Sequence, residues 1–166
     1  MNVILIGMPG SGKSTVGVLL AKSLLCDFID TDLIIQNKYA MPLNKIINDF
    51  GTDEFIKREN ETLSEISVDN CVVATGGSAV YGEKAMQNLK QNAKIVYLKL
   101  PVAELERRIS NIKTRGIVME KGETLTSLYL ARAPLYEKYA DITVDGTHLT
   151  AEECVDKIIE ELNNSN

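Results

Sequence analysis

The chain is poor in the residues that build metal centres, disulfide frameworks and nucleic-acid faces. It has one histidine, His148, and three cysteines, Cys26, Cys71 and Cys154. Three is an odd number, no two of them form a C-x-x-C pair, and no second histidine completes a zinc-type spacing. Each cysteine has an apolar residue beside it, and all three are expected to be core thiols in a reducing compartment. Positive charge is scarce as well: 18 Lys and Arg against 23 Asp and Glu give a formal net charge of -5, whereas a nucleic-acid partner calls for a basic face. No apolar run approaches a membrane span, and the opening MNVILIG lacks the basic region and the length of a signal peptide. No internal repeat or low-complexity linker interrupts the chain, although the polar tail Asn163–Asn166 is expected to fray. These absences lead us to expect a single cytoplasmic domain, 166 residues being enough to bury one core, that acts as a monomer without membrane or nucleic acid.

Against that background one stretch stands out. GMPGSGKST, Gly7 to Thr15, reads G-x-x-x-x-G-K-[ST] with Gly7, Gly12, Lys13 and Ser14 at the specified positions, directly after the apolar run Val3–Ile6. Gly7, Gly10 and Gly12 permit backbone angles closed to other residues, so the amides of Pro9-flanking and Ser11-flanking peptide units can turn inward around an anion. A helix beginning near Lys13 adds its own free N–H groups and the positive end of its dipole. Lys13 supplies a mobile charge for the β- and γ-phosphates of ATP, and the Ser14 hydroxyl is a ligand for the bridging Mg²⁺. The alternative, a glycine-rich turn that only caps a helix, does not require all four specified positions.

Five short apolar runs alternate with helical patterns: Val3–Ile6, Asp27–Ile29, Cys71–Ala74, Lys94–Leu98 and Ile142–Val144. Strand–helix alternation predicts a parallel sheet covered on both faces, an α/β fold of three layers, with ligands beyond the carboxyl ends of the strands. The second strand runs into FIDTD. If the backbone stays extended, Asp30 and Asp32 point the same way, with Asp30 near Mg²⁺ and Asp32 near the attacking hydroxyl; either could instead cap a helix starting near Leu33. Helical patterning over Pro42–Phe50, broken at Gly51 and resumed from Asp53 to about Val68, is too long for one crossover and predicts a flap on the substrate side. After the third strand, Gly76 and Gly77 leave nothing bulky between backbone and ligand, although a plain turn reads the same. The segment LERRISNIKTRGIVMEKGET is cationic and punctuated by Gly116 and Gly122, as a closing lid needs, with Arg107 and Lys113 read as solvated. Arg132 stands among Leu130, Ala131, Ala133 and Leu135, where a guanidinium is expected to meet a ligand carboxylate or an internal salt bridge. His148 is given no role.

In order and spacing, GMPGSGKST, FIDTD, TGGSAV, RRISNIKTRG and RAPLYEKYAD resemble the shikimate kinases over nearly the whole chain. The resemblance implies a P-loop kinase fold with a five-stranded parallel sheet, a flap at about 33–62 and a lid at about 109–123 that closes over ATP. It implies that Asp30 is the metal-side aspartate and Asp32 the one on the substrate hydroxyl. Gly76 and Gly77 would offer backbone to substrate, Arg108 would lie against adenine, Arg115 would be the lid arginine, and Arg132 would grip the carboxylate of shikimate.

Three positions depart from the family pattern. The pair Phe55–Ile56 stands where members carry Phe-Arg, and an aliphatic side chain cannot donate to a carboxylate. Lys57 and Arg58 are turned about 100° and 200° away around a helix, while Glu59 stays on the face of Ile56 and could recognise an ammonium or hydroxyl. Ser78 replaces a third glycine, and Gly116 stands where proline follows the lid arginine. Losing one of two guanidiniums predicts acceptor binding weakened roughly ten- to a hundred-fold. The sequence therefore predicts transfer of the γ-phosphoryl of ATP to a small-molecule hydroxyl, with shikimate as acceptor or, on the strength of Ile56 and Glu59, another such as homoserine, a sugar acid or a polyol. A nucleotide-dependent switch is the rival from another class. Asn37-Lys38-Tyr39-Ala40 lacks the aspartate of a guanine reader, and neither the third nor the fourth strand ends in a motor-type aspartate.

Overall fold

The computed structural model describes residues 1–109 and 117–164. Five parallel strands, β1 (Asn2–Ile6), β2 (Asp27–Asp30), β3 (Cys71–Ala74), β4 (Ala93–Lys99) and β5 (Ile142–Asp145), form one sheet in the order β2-β3-β1-β4-β5. In β1 every residue is buried, because helices cover both faces and alternate side chains feed two separate cores. Val3 and Leu5 pack with Leu20 of α1 (Lys13–Leu24) and Ile158 of α8 (Ala151–Asn164). Ile4 and Ile6 face Met86 of α5 (Glu83–Lys90), Leu105 of α6 (Val102–Arg108) and Tyr136 of α7 (Leu125–Tyr139). The three-layer α/β architecture expected from the alternating pattern is the one observed.

The segment expected to form the flap folds as α2 (Thr31–Tyr39), α3 (Leu43–Phe50) and α4 (Thr52–Glu65). It has its own small core of Ile35, Leu43, Ile46 and Phe55, completed by Val118 from beyond α6. Cys71 and Cys154 are buried and Cys26 half-buried, as thiols.

Two helix boundaries differ from expectation for local reasons. Helix α2 begins at Thr31, not near Leu33, because the Asp30 carboxylate accepts the Asp32 N–H at 3.0 Å and caps it there. Helix α4 ends at Glu65, short of Val68; the Asn88 side-chain amide donates to Leu63 O and Ile66 O, taking up carbonyls at its end.

What positions the site is the register at the strands' carboxyl ends. Leu5 pairs with Ala74, and the next residue, Thr75, donates both its N–H and its hydroxyl to Leu5 O. The loops after β1 and β3 are thus tied side by side. On the same face, Tyr97 of β4 stacks on Tyr136 with ring centroids 5.1 Å apart, which fixes α7 against the sheet.

Candidate active site

A cleft of about 510 Å³ opens over the carboxyl ends of β1, β2 and β3. One side is the loop Gly7–Gly12, where Gly10 and Gly12 hold φ of 81° and 94°, angles that side chains with a Cβ rarely adopt. Lys13 is buried, and its Nζ donates to Gly7 O at 2.8 Å and Met8 O at 2.9 Å, folding the side chain back across its own loop. Burial lowers its pKa to about 8 despite the nearby Asp32 and Asp30 carboxylates. Ser14, the next residue, donates its hydroxyl to Asp30 Oδ2 at 2.7 Å. Hydroxyl and carboxylate oxygens are the hard donors that Mg²⁺ takes, so this pair fits such an ion.

Asp30 therefore both caps α2 and holds Ser14, functions the sequence treated as alternatives. Asp32 lies within α2, so the extended backbone that would aim both aspartates alike is absent; both line the cleft through the turn from strand to helix. Burial, with the Asp30 charge adding to it, raises the Asp32 pKa to about 6.

The far side of the cleft is built on Gly76 and Gly77. A Cβ on Gly76 would stand 2.6 Å from Glu59 Oε1 and 2.9 Å from Asp32 Oδ1; one on Gly77 would stand 2.9 Å from Arg132 Nη1. Only glycines allow these three charged groups so close to the backbone. The Gly76 N–H is committed to Thr31 Oγ1 at 3.3 Å, and Gly77 O accepts the Tyr136 hydroxyl at 2.6 Å. Arg132, one turn before Tyr136 on the same face of α7, is 1% exposed. It donates through Nη2 to Val118 O at 2.8 Å and through Nε to the Tyr81 hydroxyl at 3.4 Å, and among the described residues it has no carboxylate partner.

Glu59 is 1% exposed, and Ser78 donates its hydroxyl to Oε2. Burial raises its pKa to about 7, with the Asp32 charge contributing, although the Ser78 hydrogen bond works the other way. Ile56, expected at the acceptor, does not line the cleft but packs against the flap core. Arg58 pairs with Glu54 at 2.8 Å, its guanidinium 4.2 Å from the Phe50 ring centre, turned away as the helix geometry required. Arg107 is solvated and paired with Glu104. Arg115 and residues 110–116 lie outside the described residues.

A second, smaller cleft of about 180 Å³ adjoins the loop through Ser11, Gly12 and Thr15, with Leu100 and Cys154 on its apolar side. Arg108 lines both clefts while its Nε holds Glu104 at 2.8 Å. Several lining groups were not legible in the sequence. Leu43 and Val118 carry no motif, and Tyr81 and Tyr136, which hold Arg132 and Gly77 from outside the lining, were given no role although Tyr136 falls within RAPLYEKYAD. Thr75 and Ser78 fell within TGGSAV, directly after β3, and Ser78 was marked only as replacing a glycine.

Comparison with known proteins bears on this site. The model of the family "Shikimate kinase" matches residues 9–163. Among curated relatives, the shikimate kinase of Francisella tularensis subsp. holarctica is 38% identical, covering 95% of this chain and 92% of its own. That of Nitrosomonas europaea is 40% identical, over 99% and 80%. Among solved structures, shikimate kinase from Acinetobacter baumannii in complex with shikimate superposes with a TM-score of 0.91 at 32% identity, covering 99% of this chain and 94% of that one. A deoxyadenosine kinase from M. mycoides, at 16% identity and a TM-score of 0.64, shares the fold.

Proposed function

The chain belongs to the shikimate kinase family of ATP-dependent kinases, and from that premise we propose that it transfers the γ-phosphoryl group of ATP to a hydroxyl of shikimate, giving shikimate 3-phosphate. The observation that carries the reading is the pairing, across one cleft, of a phosphate loop with a buried guanidinium that lacks a carboxylate partner among the described residues. Arg132 binds the acceptor carboxylate through Nη1, leaving its bonds to Val118 and Tyr81 in place. Asp32 takes the acceptor hydroxyl. With a pKa near 6 it is ionised at neutral pH and poised to accept the proton as the oxygen attacks. A bond forms from that oxygen to the γ-phosphorus, the bond from phosphorus to the bridging oxygen breaks, and ADP departs.

Lys13 leaves Gly7 O and Met8 O for the β- and γ-phosphates, and the anion raises its pKa and keeps it charged. Ser14 and Asp30 would hold Mg²⁺, which supplies charge neutralisation at the phosphates when bound. The adenine is assigned to the smaller cleft against Arg108, and Arg115 to the transferring phosphoryl group. No helix among the described residues is long and apolar enough to cross a membrane. A cytoplasmic monomer acting on small molecules is the setting we infer.

The test is ADP release by the purified chain with Mg²⁺ and ATP, titrated with shikimate. Saturable turnover with a phosphorylated product is expected; a rate of ATP consumption indifferent to shikimate sinks the acceptor assignment.

A further inference from the structure

Glu59 is the least satisfied charge in the cleft. Its Oε2 accepts from Ser78, but Oε1 is buried in the wall of the cleft and has no hydrogen-bond partner among the described residues. Leaving such an oxygen unpaired is costly, and a carboxylate more so than a neutral group. Nothing on its own helix relieves it. Ile56 is apolar, Lys57 is exposed, and Arg58 is occupied by Glu54 and by the faces of Tyr39 and Phe50. Across the cleft Arg132 is near enough to be felt, yet its donors go to Val118 and Tyr81.

The two glycines translate this into a shape. Glu59 and Asp32 abut Gly76 and Arg132 abuts Gly77, so an anionic and a cationic pole flank successive residues of one backbone stretch without closing into an ion pair. Opposite charges set side by side, one of them with an open oxygen, suit the head of an α-amino acid: carboxylate on Arg132, ammonium on Glu59 Oε1. Asp32, beside Glu59, is left for a side-chain hydroxyl. An acceptor with a carboxylate and no cation satisfies Arg132 alone; a zwitterion satisfies both poles and brings no net charge into a cleft that already holds three carboxylates.

We propose that this cleft also phosphorylates hydroxy amino acids, with Glu59 as the residue that recognises the ammonium group and Ser78 as the residue that positions Glu59. This rests on the kinase reading above and adds a second acceptor class to it. The bonds made and broken are the same: the side-chain oxygen gains the γ-phosphoryl, ADP leaves, and the hydroxyl proton goes to Asp32. Ser78 holds Oε2 so that Oε1, and not both oxygens, faces the ligand. The groups facing Glu59 are Ser78, Asp32, Arg132 and Lys13. Ionised Glu59 is the form that binds a cation, so KM for an amino-acid acceptor falls as pH rises through about 7, whereas KM for its N-acetylated form has no such dependence.

The experiment compares three acceptors, shikimate, L-homoserine and N-acetyl-L-homoserine, in wild type, Glu59→Gln and Ser78→Ala, reading ADP release and the phosphorylated product by mass spectrometry. Expected are saturable phosphorylation of homoserine with kcat/KM at least about ten-fold above the N-acetyl form, and a roughly ten- to hundred-fold loss in Glu59→Gln that exceeds the loss with shikimate. Ser78→Ala raises KM for homoserine about three- to ten-fold with kcat little changed. Should Glu59→Gln not fold, judged by its thermal midpoint, the KM and kcat split in Ser78→Ala and the wild-type pH profile carry the test. Turnover of shikimate without homoserine overturns this inference and leaves the shikimate assignment standing. Homoserine turnover without shikimate does the reverse. Turnover of neither, with ATP still binding, removes both, and an equal loss of both acceptors in Glu59→Gln removes Glu59 as a selector.

Discussion

On the phosphate side of the cleft, Lys13 rests on Gly7 O and Met8 O and Ser14 on Asp30, so both side chains have partners that a ligand can displace. On the acceptor side, among the described residues, Glu59 Oε1 has no partner, and Arg132 is buried with hydrogen bonds but no counter-charge. The first arrangement is made by backbone geometry and exchanges one set of hydrogen bonds for another on binding. The second is made by side chains from three separate elements and keeps uncompensated charge in place until a ligand arrives. Backbone cradles recognise phosphate whatever is attached to it; isolated buried charges recognise a particular arrangement of opposite charges.

Breaking the phosphate side should produce the largest effect. Lys13→Met is expected to lower kcat by at least about 10³-fold while circular dichroism and the thermal midpoint stay near wild type, since the side chain's bonds are to carbonyls that can turn to water. Retained turnover would detach the loop from catalysis. Next comes the residue between the two sides. Asp32→Asn is expected to slow the chemical step in single-turnover kinetics by about 10²- to 10³-fold, with ATP affinity preserved. A normal chemical step would leave Asp32 a spectator.

On the acceptor side the losses are smaller and fall on KM. Arg132→Lys keeps a charge but loses the fork that reaches Val118 O and Tyr81 together, so KM for shikimate is expected to rise about ten- to a hundred-fold with ATP binding little affected. A comparable loss of ATP affinity would mean the two sides are not separable. A separate effect falls on stability without ligand. Glu59 has its pKa raised from 4.5 to about 7, so between those values the folded state binds more protons than the unfolded chain, and stability falls as pH rises through that window. The contribution is up to roughly 3 kcal/mol. Glu59→Gln should therefore flatten the fall in thermal midpoint between pH 5 and pH 8; an unchanged slope would show Glu59 to be neutralised by another group.

The phosphate side was legible because its chemistry is local. Gly7, Gly12, Lys13 and Ser14 are close in sequence, and the preceding apolar run announces the strand they need. The five strands were legible for the same reason, their apolar runs being short and bounded by helical patterns. The acceptor side was legible only in part. Glu59 and Arg132 stood out as charges in the wrong company, but Ser78 carried no assigned role, and Ile56 was placed at the ligand when it packs into the flap instead. Tyr136, which holds Gly77 through its hydroxyl and α7 through its ring, fell within RAPLYEKYAD but drew no role of its own, because a buried tyrosine on a helix face reads as core.

By itself the sequence determined the alternation of strands and helices and the glycine-rich loop to which we assign the nucleotide, since each depends on residues within a turn or two of one another. Only the tertiary structure decided that Glu59 would meet Ser78 and the edge of Gly76 while Arg132 took Val118 O, because those partners are 14 to 19 residues apart or come from different elements and are joined solely by how the flap and α7 pack over the sheet. Burial then set which of those charges was left without a partner, a property of packing that no spacing of residue types encodes.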